Sequence, residues 1–384
     1  MSVSFEPSNE KERVRQGLLK VGTKRSTGEI QVETPGCLMY SRRGATPHLT
    51  PDMARLLPNR GIQISLSHMF DDMPPPSINF EPGLHKYLNL EDYLMFIDTL
   101  DPSPELEQTL LNGEKYISVN TYGGIRKVTP QDFIKTINAY KPDIAAAMAD
   151  IVADKIPTAK RARKSVDRTL KWLDEIIAEK KENISLFGVL VGSQHERERQ
   201  RCAEELVKRD MDGYVLDARG LNVEEEEEQE RLLRVSLDCL PKDKPRVGYG
   251  FSAPDGVLRG ISLGIDLFDS AFPYITTEKG HALTFEFGSQ EDKNAGQLVY
   301  DLWDPKNKSD QGPFLEGCQC FACQNHTRSY THHLLNTHEM LGPVLLMVHN
   351  FHHYLRFFKE IRDSIRDDSF EQKRADFLHK YYNK

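Results

Sequence analysis

Cys318, Cys320 and Cys323 sit within one short turn-like stretch, and a histidine-rich segment follows them. Thiolates are borderline-soft donors. A C-x-C-x-x-C run can place three of them around one tetrahedral ion while a distant helix supplies the fourth ligand. Three reduced thiols that only pack would be the bland alternative, but thiols rarely cluster this densely without a metal or a disulfide. Spacing does not choose the fourth ligand, because His326, His332, His333, His338, His349, His352 and His353 all lie close enough in sequence to compete. A closed site of this composition holds a fold and performs no chemistry.

A second set of residues could act on a substrate. Asp150, Asp217, Asp266 and Asp269 each lie at or just after a short apolar run. In a barrel of parallel strands such carboxylates stand at the rim where catalysis is placed. A lone Asp at such a junction also serves commonly as a helix cap or a hydrogen-bond acceptor. Lys160, Arg161, Arg163, Lys164 and Arg168 form a basic segment after the fourth apolar run. On that rim they would be RNA-binding candidates through phosphate contacts; on a solvated helix face they would do nothing specific.

Elements able to position these groups can be read from apolar runs bounded by turn residues, which mark buried parallel strands. Eight candidates are Cys37–Tyr40, Ile62–Leu66, Tyr116–Val119, Asp143–Met148, Leu186–Val191, Gly213–Leu216, Arg246–Tyr249 and Ile265–Phe268. Amphipathic segments separate most of them, among them Ser165–Lys180 with Val166, Leu170, Leu173, Ile176 and Ile177 on one stripe. Strand and helix alternating eight times predict an α/β fold, a (β/α)8 TIM barrel with a C-terminal zinc-binding subdomain. No G-x-G-x-x-G follows the first strand to support an open dinucleotide-binding sheet instead. The expected organisation is a barrel with an N-terminal extension over 1–275, a zinc-binding subdomain over 276–350 and a helical segment over 351–384 that packs back on the barrel.

With 384 residues, 39% hydrophobic and 28% charged, the chain has an ordinary globular composition. A net charge of -8 gives no global attraction to phosphate, so any nucleic-acid contact must come from a local basic patch or a more basic partner. Cys37, Cys202 and Cys239 are scattered and suggest a reducing compartment. No apolar run is long enough to span a membrane, and Glu6, Glu10 and Glu12 near the start argue against a leader peptide, so the expected location is cytoplasmic.

The spacing of Cys318, Cys320, Cys323 and His349, with Arg328–Leu334 between them, closely resembles the zinc subdomain of the tRNA-guanine transglycosylases. The resemblance covers nearly the whole chain. It includes Gly28–Pro35, Leu49–Asp52, Leu186–Val189, Gly264–Asp269 and Ile361–Ile365. It implies a (β/α)8 barrel that exchanges guanine in a tRNA anticodon for queuine or its precursor, one structural Zn2+ per subunit held by Cys318, Cys320, Cys323 and His349, and a zinc subdomain that helps form a dimer interface. In that family one Asp attacks the ribose anomeric carbon while a second handles protons on the bases, in the manner of a retaining glycosidase.

Measured against that pattern, the nucleophile position is filled by Asp269 and a base-binding position by Asp150. Where catalytic members carry T-D-S-G-G-F-Q after the third strand, this chain has Asn120–Arg126, which places Thr121 at the proton-handling Asp. Their Q-G-G becomes Val191-Gly192-Ser193, G-G-L becomes Ala218–Leu221 after Asp217, and P-T-R becomes Pro273-Tyr274-Ile275. A nucleophile without its partners is nearly inert, because the parts of such a site act as a unit. The losses resemble those of the family's non-catalytic subunits. They imply no catalytic residue beyond a residual Asp269, a heterodimer with a catalytic homologue that acts on tRNA, and cytoplasmic residence with peripheral association at the mitochondrial outer membrane. The alternative is a self-sufficient transglycosylase on a different base or substrate, with Asp269 as nucleophile.

Overall fold

The computed structural model describes residues 3–22, 29–103, 110–152, 154–221, 223, 225–288 and 296–382. Its centre is an eight-stranded parallel sheet. An antiparallel sheet precedes it, made of β1 (Val3–Lys11), β2 (Val14–Gly22) and β3 (Glu29–Thr34). The barrel strands follow as β4 (Gly36–Leu38), β5 (Gly61–Ser65) and β6 (Leu94–Asp98). After a hairpin of β7 (Ile117–Thr121) and β8 (Gly124–Val128) come β9 (Ile144–Ala146), β10 (Ser185–Leu190), β11 (Gly213–Asp217), β12 (Arg246–Tyr249) and β13 (Leu267–Asp269). The order is β4-β13-β12-β11-β10-β9-β6-β5, and a parallel bridge from Met39 to Ile62 brings the two ends together. The barrel expected from the sequence is therefore present.

One strand differs from expectation. The third barrel strand is Leu94–Asp98, buried along its whole length, whereas the Tyr116–Val119 candidate lies in the antiparallel hairpin β7–β8. Both segments are apolar enough to read as strands. Only partners on both sides, β5 and β9, make the first of them a barrel stave.

Local chemistry explains the outer helices. α1 (Ala159–Glu179) buries Ala162, Val166, Leu170, Leu173 and Ile176 on one stripe, and Thr158 caps it by accepting the Arg161 N–H. α2 (Glu196–Lys208) buries Arg199, Cys202, Ala203 and Leu206. At the N-terminal end of the strands, the buried Arg15 guanidinium of β2 clasps Asp266 at 2.8 and 2.5 Å and donates to the Lys242 and Lys244 carbonyls. That ties the N-terminal sheet to the barrel floor.

After β13 the rhythm breaks into a short antiparallel pair, β14 (His281–Leu283) with β15 (Val299–Asp301). α3 (Phe321–Asn325) and α4 (Arg328–Asn336) then lead to the long α5 (Leu341–Arg366), and α6 (Phe370–Tyr382) ends the described chain. Ala282, Leu302, Phe314, Leu315, Leu334, Leu335, Leu345 and Leu346 form a separate small core around the three cysteines. α5 passes through residue 350 without a break and continues onto the barrel core with Phe351, Tyr354, Phe357, Phe358 and Ile361.

Candidate functional site

The metal-binding candidates converge as a group. Cys318, Cys320, Cys323 and His349 are all buried, and their ligand atoms lie within 4.8 Å of one another. Each comes from a different local device: Cys318 from the loop before α3, Cys320 as the cap of α3, Cys323 from its first turn, and His349 from the middle of α5. His349 Nδ1 stands 3.7, 3.5 and 3.3 Å from the sulfurs of Cys318, Cys320 and Cys323. With Zn–S near 2.3 Å and Zn–N near 2.0 Å, a tetrahedral ion would separate sulfur and nitrogen by about 3.6 Å. The spacing fits.

The imidazole is also set for the task, because His349 Nε2 bonds the Leu283 carbonyl at 2.8 Å and so leaves Nδ1 to face the thiols. Three of the six competing histidines have other contacts. His326 stacks on Tyr330, His332 bonds the Leu302 carbonyl, and His353 lies edge-on to Phe285. Three thiolates and one imidazole in a dry, closed shell suit a tetrahedral structural ion and offer no open position for chemistry.

At the C-terminal ends of the barrel strands two carboxylates stand buried. Asp269 ends β13, fully buried, with Oδ1 accepting the Ala271 N–H at 3.0 Å and Oδ2 without a hydrogen-bond partner among the described residues. Burial pushes its carboxyl up to about 6. Asp98 ends β6 in the same way, accepting the Leu100 N–H at 3.0 Å, and burial lifts it to about 6 as well. The end of the third strand is thus an aspartate. Thr121 lies instead in the hairpin, donating to the Gly124 carbonyl at 2.6 Å, so the lost proton-handling Asp inferred from Thr121 does not hold in three dimensions. The run Leu94-Met95-Phe96-Ile97-Asp98, apolar and closed by a carboxylate, was the signal that could have located it.

The third aspartate, Asp150, is held by cations. Asp150 is clasped by Arg161 at 2.7 and 2.8 Å and by Arg168 at 3.0 Å, with Asn112 donating at 3.1 Å. Arg168 and Lys164 also pair with Glu114. Of the five RNA-binding candidates, Arg161, Lys164 and Arg168 are therefore ion-paired, while Lys160 and Arg163 are exposed.

After β10, Gly192 takes a φ of +126°, and a Cβ there would meet the Arg199 backbone at 2.7 Å. Ser193 follows with φ +49°, a left-handed turn now carrying a side chain. Arg199 is buried beneath it, donating to the Leu232 and Ser193 carbonyls, and burial lowers its pKa to about 10. Arg219 spans the mouth, bonding Asp217 at 3.0 Å and reaching the Asp101 carbonyl at 3.0 Å. Between Val191, Ser193, Arg199, Asp217 and Gly220 there remains a cavity of only 10 Å³. That holds about one water, and Asp98, Asp150 and Asp269 do not line it.

Sequence comparison agrees with this geometry. The family model described as queuine tRNA-ribosyltransferase matches residues 12–383. The chain is 33% identical to a Danio rerio protein named queuine tRNA-ribosyltransferase accessory subunit 2, over 92% of this chain and 94% of the relative. It is 34% identical to the Homo sapiens protein of that name, over 90% and 92%, and 34% identical to the Ixodes scapularis one, over 89% and 91%.

Proposed function

The chain belongs to the queuine tRNA-ribosyltransferase family, and from that membership we propose that it is the non-catalytic subunit of a heterodimeric enzyme that exchanges guanine for queuine at the wobble position of tRNA anticodons. Its partner is a catalytic homologue, and its contributions are dimer formation and tRNA docking. The observation that carries this is the state of Asp150, the residue matched to base binding: it is fully buried and neutralised by Arg161 and Arg168. Three guanidinium bonds and one from Asn112 take up the roughly four acceptor sites of this carboxylate, leaving none for the edge of a purine.

The cluster of Cys318, Cys320, Cys323 and His349 would hold one structural zinc, which fixes the subdomain that we assign to the partner interface. Among the described residues no helix is long and apolar enough to cross a membrane. We assign the protein to the cytoplasm, with any association at the mitochondrial outer membrane being peripheral.

A self-sufficient transglycosylase using Asp269 is the weaker reading. Asp98 and Asp269 survive, but Asp150 is already taken up by Arg161 and Arg168. Exchange of labelled guanine decides between them: the pair of subunits with queuine and tRNA should turn over, and this chain alone should not. A rate for the single chain close to that of the pair, abolished in Asp269→Ala, would overturn the proposal.

A further inference from the structure

Tyr122 stands at the tip of the β7–β8 hairpin, 50% exposed, with Ile125 beside it 54% exposed. Two large apolar side chains at a hairpin tip are not explained by packing. Tyr274, which lines the same rim, is turned inward and only 2% exposed. The tip is held rather than loose. The Gly123 N–H donates to Asp71 Oδ1 at 2.9 Å, and Arg126 donates twice to the Asp71 carbonyl, at 3.1 and 2.8 Å.

Around the Tyr122 ring the structure gathers cations from the loop after β4. The Arg43 guanidinium lies 3.9 Å from the ring centroid and that of Arg42 5.5 Å away, while the His68 ring is at 6.3 Å. Arg43 is 57% exposed, and its one carboxylate neighbour among the described residues, Asp71, is at the long distance of 3.5 Å. Arg42 donates to the Tyr274 hydroxyl, and among the described residues no carboxylate pairs with it.

We propose that Tyr122, Arg42 and Arg43 form a stacking platform on the barrel rim that receives an unpaired base of the bound RNA, with Arg43 positioned for its phosphate. Every base has a flat face that stacks on an aromatic ring or a guanidinium plane, and the flanking positive charge favours the backbone. Arg42 and Arg43 follow the C-terminal end of β4, and neither they nor Tyr122 line the small pocket beside Val191 and Asp217. The platform deepens the tRNA-docking reading and rests on it.

The test uses the assembled heterodimer and an anticodon stem-loop carrying a fluorescent purine analogue in its loop. Tyr122→Ala should weaken binding about tenfold and abolish quenching of the analogue, and Tyr122→Phe should restore both. Arg43→Ala should weaken binding and flatten its salt dependence. If Tyr122→Ala binds within about twofold of the parent with quenching intact, the platform is overturned while the docking role stands. Weaker pairing of the subunits with RNA affinity per dimer unchanged would assign the tip to a protein contact and overturn it too. If removing this chain leaves RNA affinity of the catalytic subunit unaltered, the docking role itself fails.

Discussion

Asp269→Asn is the most informative single change, because it separates a buried relic from a solvated carboxylate. In the folded chain burial raises Asp269 to about 6, and the nearby charges of Asp101 and Asp217 add to this against the pull of the Ala271 N–H and Arg219. An unfolded Asp titrates near 3.9. A folded pKa above the unfolded one means that the native state binds the proton more tightly. The resulting stabilisation is fully present below about 4 and is lost as pH rises through about 6.

Between pH 7 and pH 5 this one group should add about 1 kcal/mol to the stability of the parent chain, since each pKa unit crossed is worth roughly 1.4 kcal/mol. In Asp269→Asn that increment disappears. The absolute stability at pH 7 moves less predictably, because the charge is removed while the new amide meets the position where Oδ2 has no partner. The quantity to measure is therefore the change in urea-unfolding free energy from pH 7 to pH 5 in each protein. All other titrating groups are common to both and cancel in the difference. An Asn variant that gains as much as the parent on acidification would show that Asp269 is not perturbed by burial. Asp98→Asn, whose carboxyl is lifted to about 6 by the same cause, should behave alike.

Other perturbations follow from the same contacts. Cys320→Ser should release the metal, measured by elemental analysis, and lower both thermal stability and affinity for the catalytic subunit; a variant without metal that pairs normally would break that link. Arg161→Ala should cost about 3–5 kcal/mol by leaving Asp150 buried with one partner fewer, and Asp150→Asn in the same chain should recover part of the loss in urea unfolding. Arg15→Ala should cost a similar amount by stranding Asp266, which has no exposure. Lys160→Ala with Arg163→Ala should leave stability within about 0.5 kcal/mol, because both side chains are exposed, so any loss of tRNA affinity there reads as contact with RNA.

The three thiols of the candidate metal site were legible in the sequence because they share one turn, whereas seven histidines stayed open for the fourth place until the family resemblance pointed to His349, which the fold brings to them. The eight-fold alternation was legible for a similar reason, since the buried runs of a parallel barrel need no partner to look apolar. Which run is the third stave was not. Leu94–Asp98 and Ile117–Thr121 have comparable local character, and only the hydrogen-bonded neighbours of each assign one to the barrel and the other to a hairpin.

The meaning of charge was likewise decided in three dimensions. Arg161, Lys164 and Arg168 look like a phosphate-binding helix in sequence, yet the fold spends them on Asp150 and Glu114. Arg42, Arg43 and Tyr122 attract no attention along the chain and meet on the rim. A side chain's type and spacing determine what it can bind. Its partner depends on contacts between residues far apart in sequence, and here those contacts pair Asp150 with Arg161 and Arg168 and bring Arg42 and Arg43 to Tyr122.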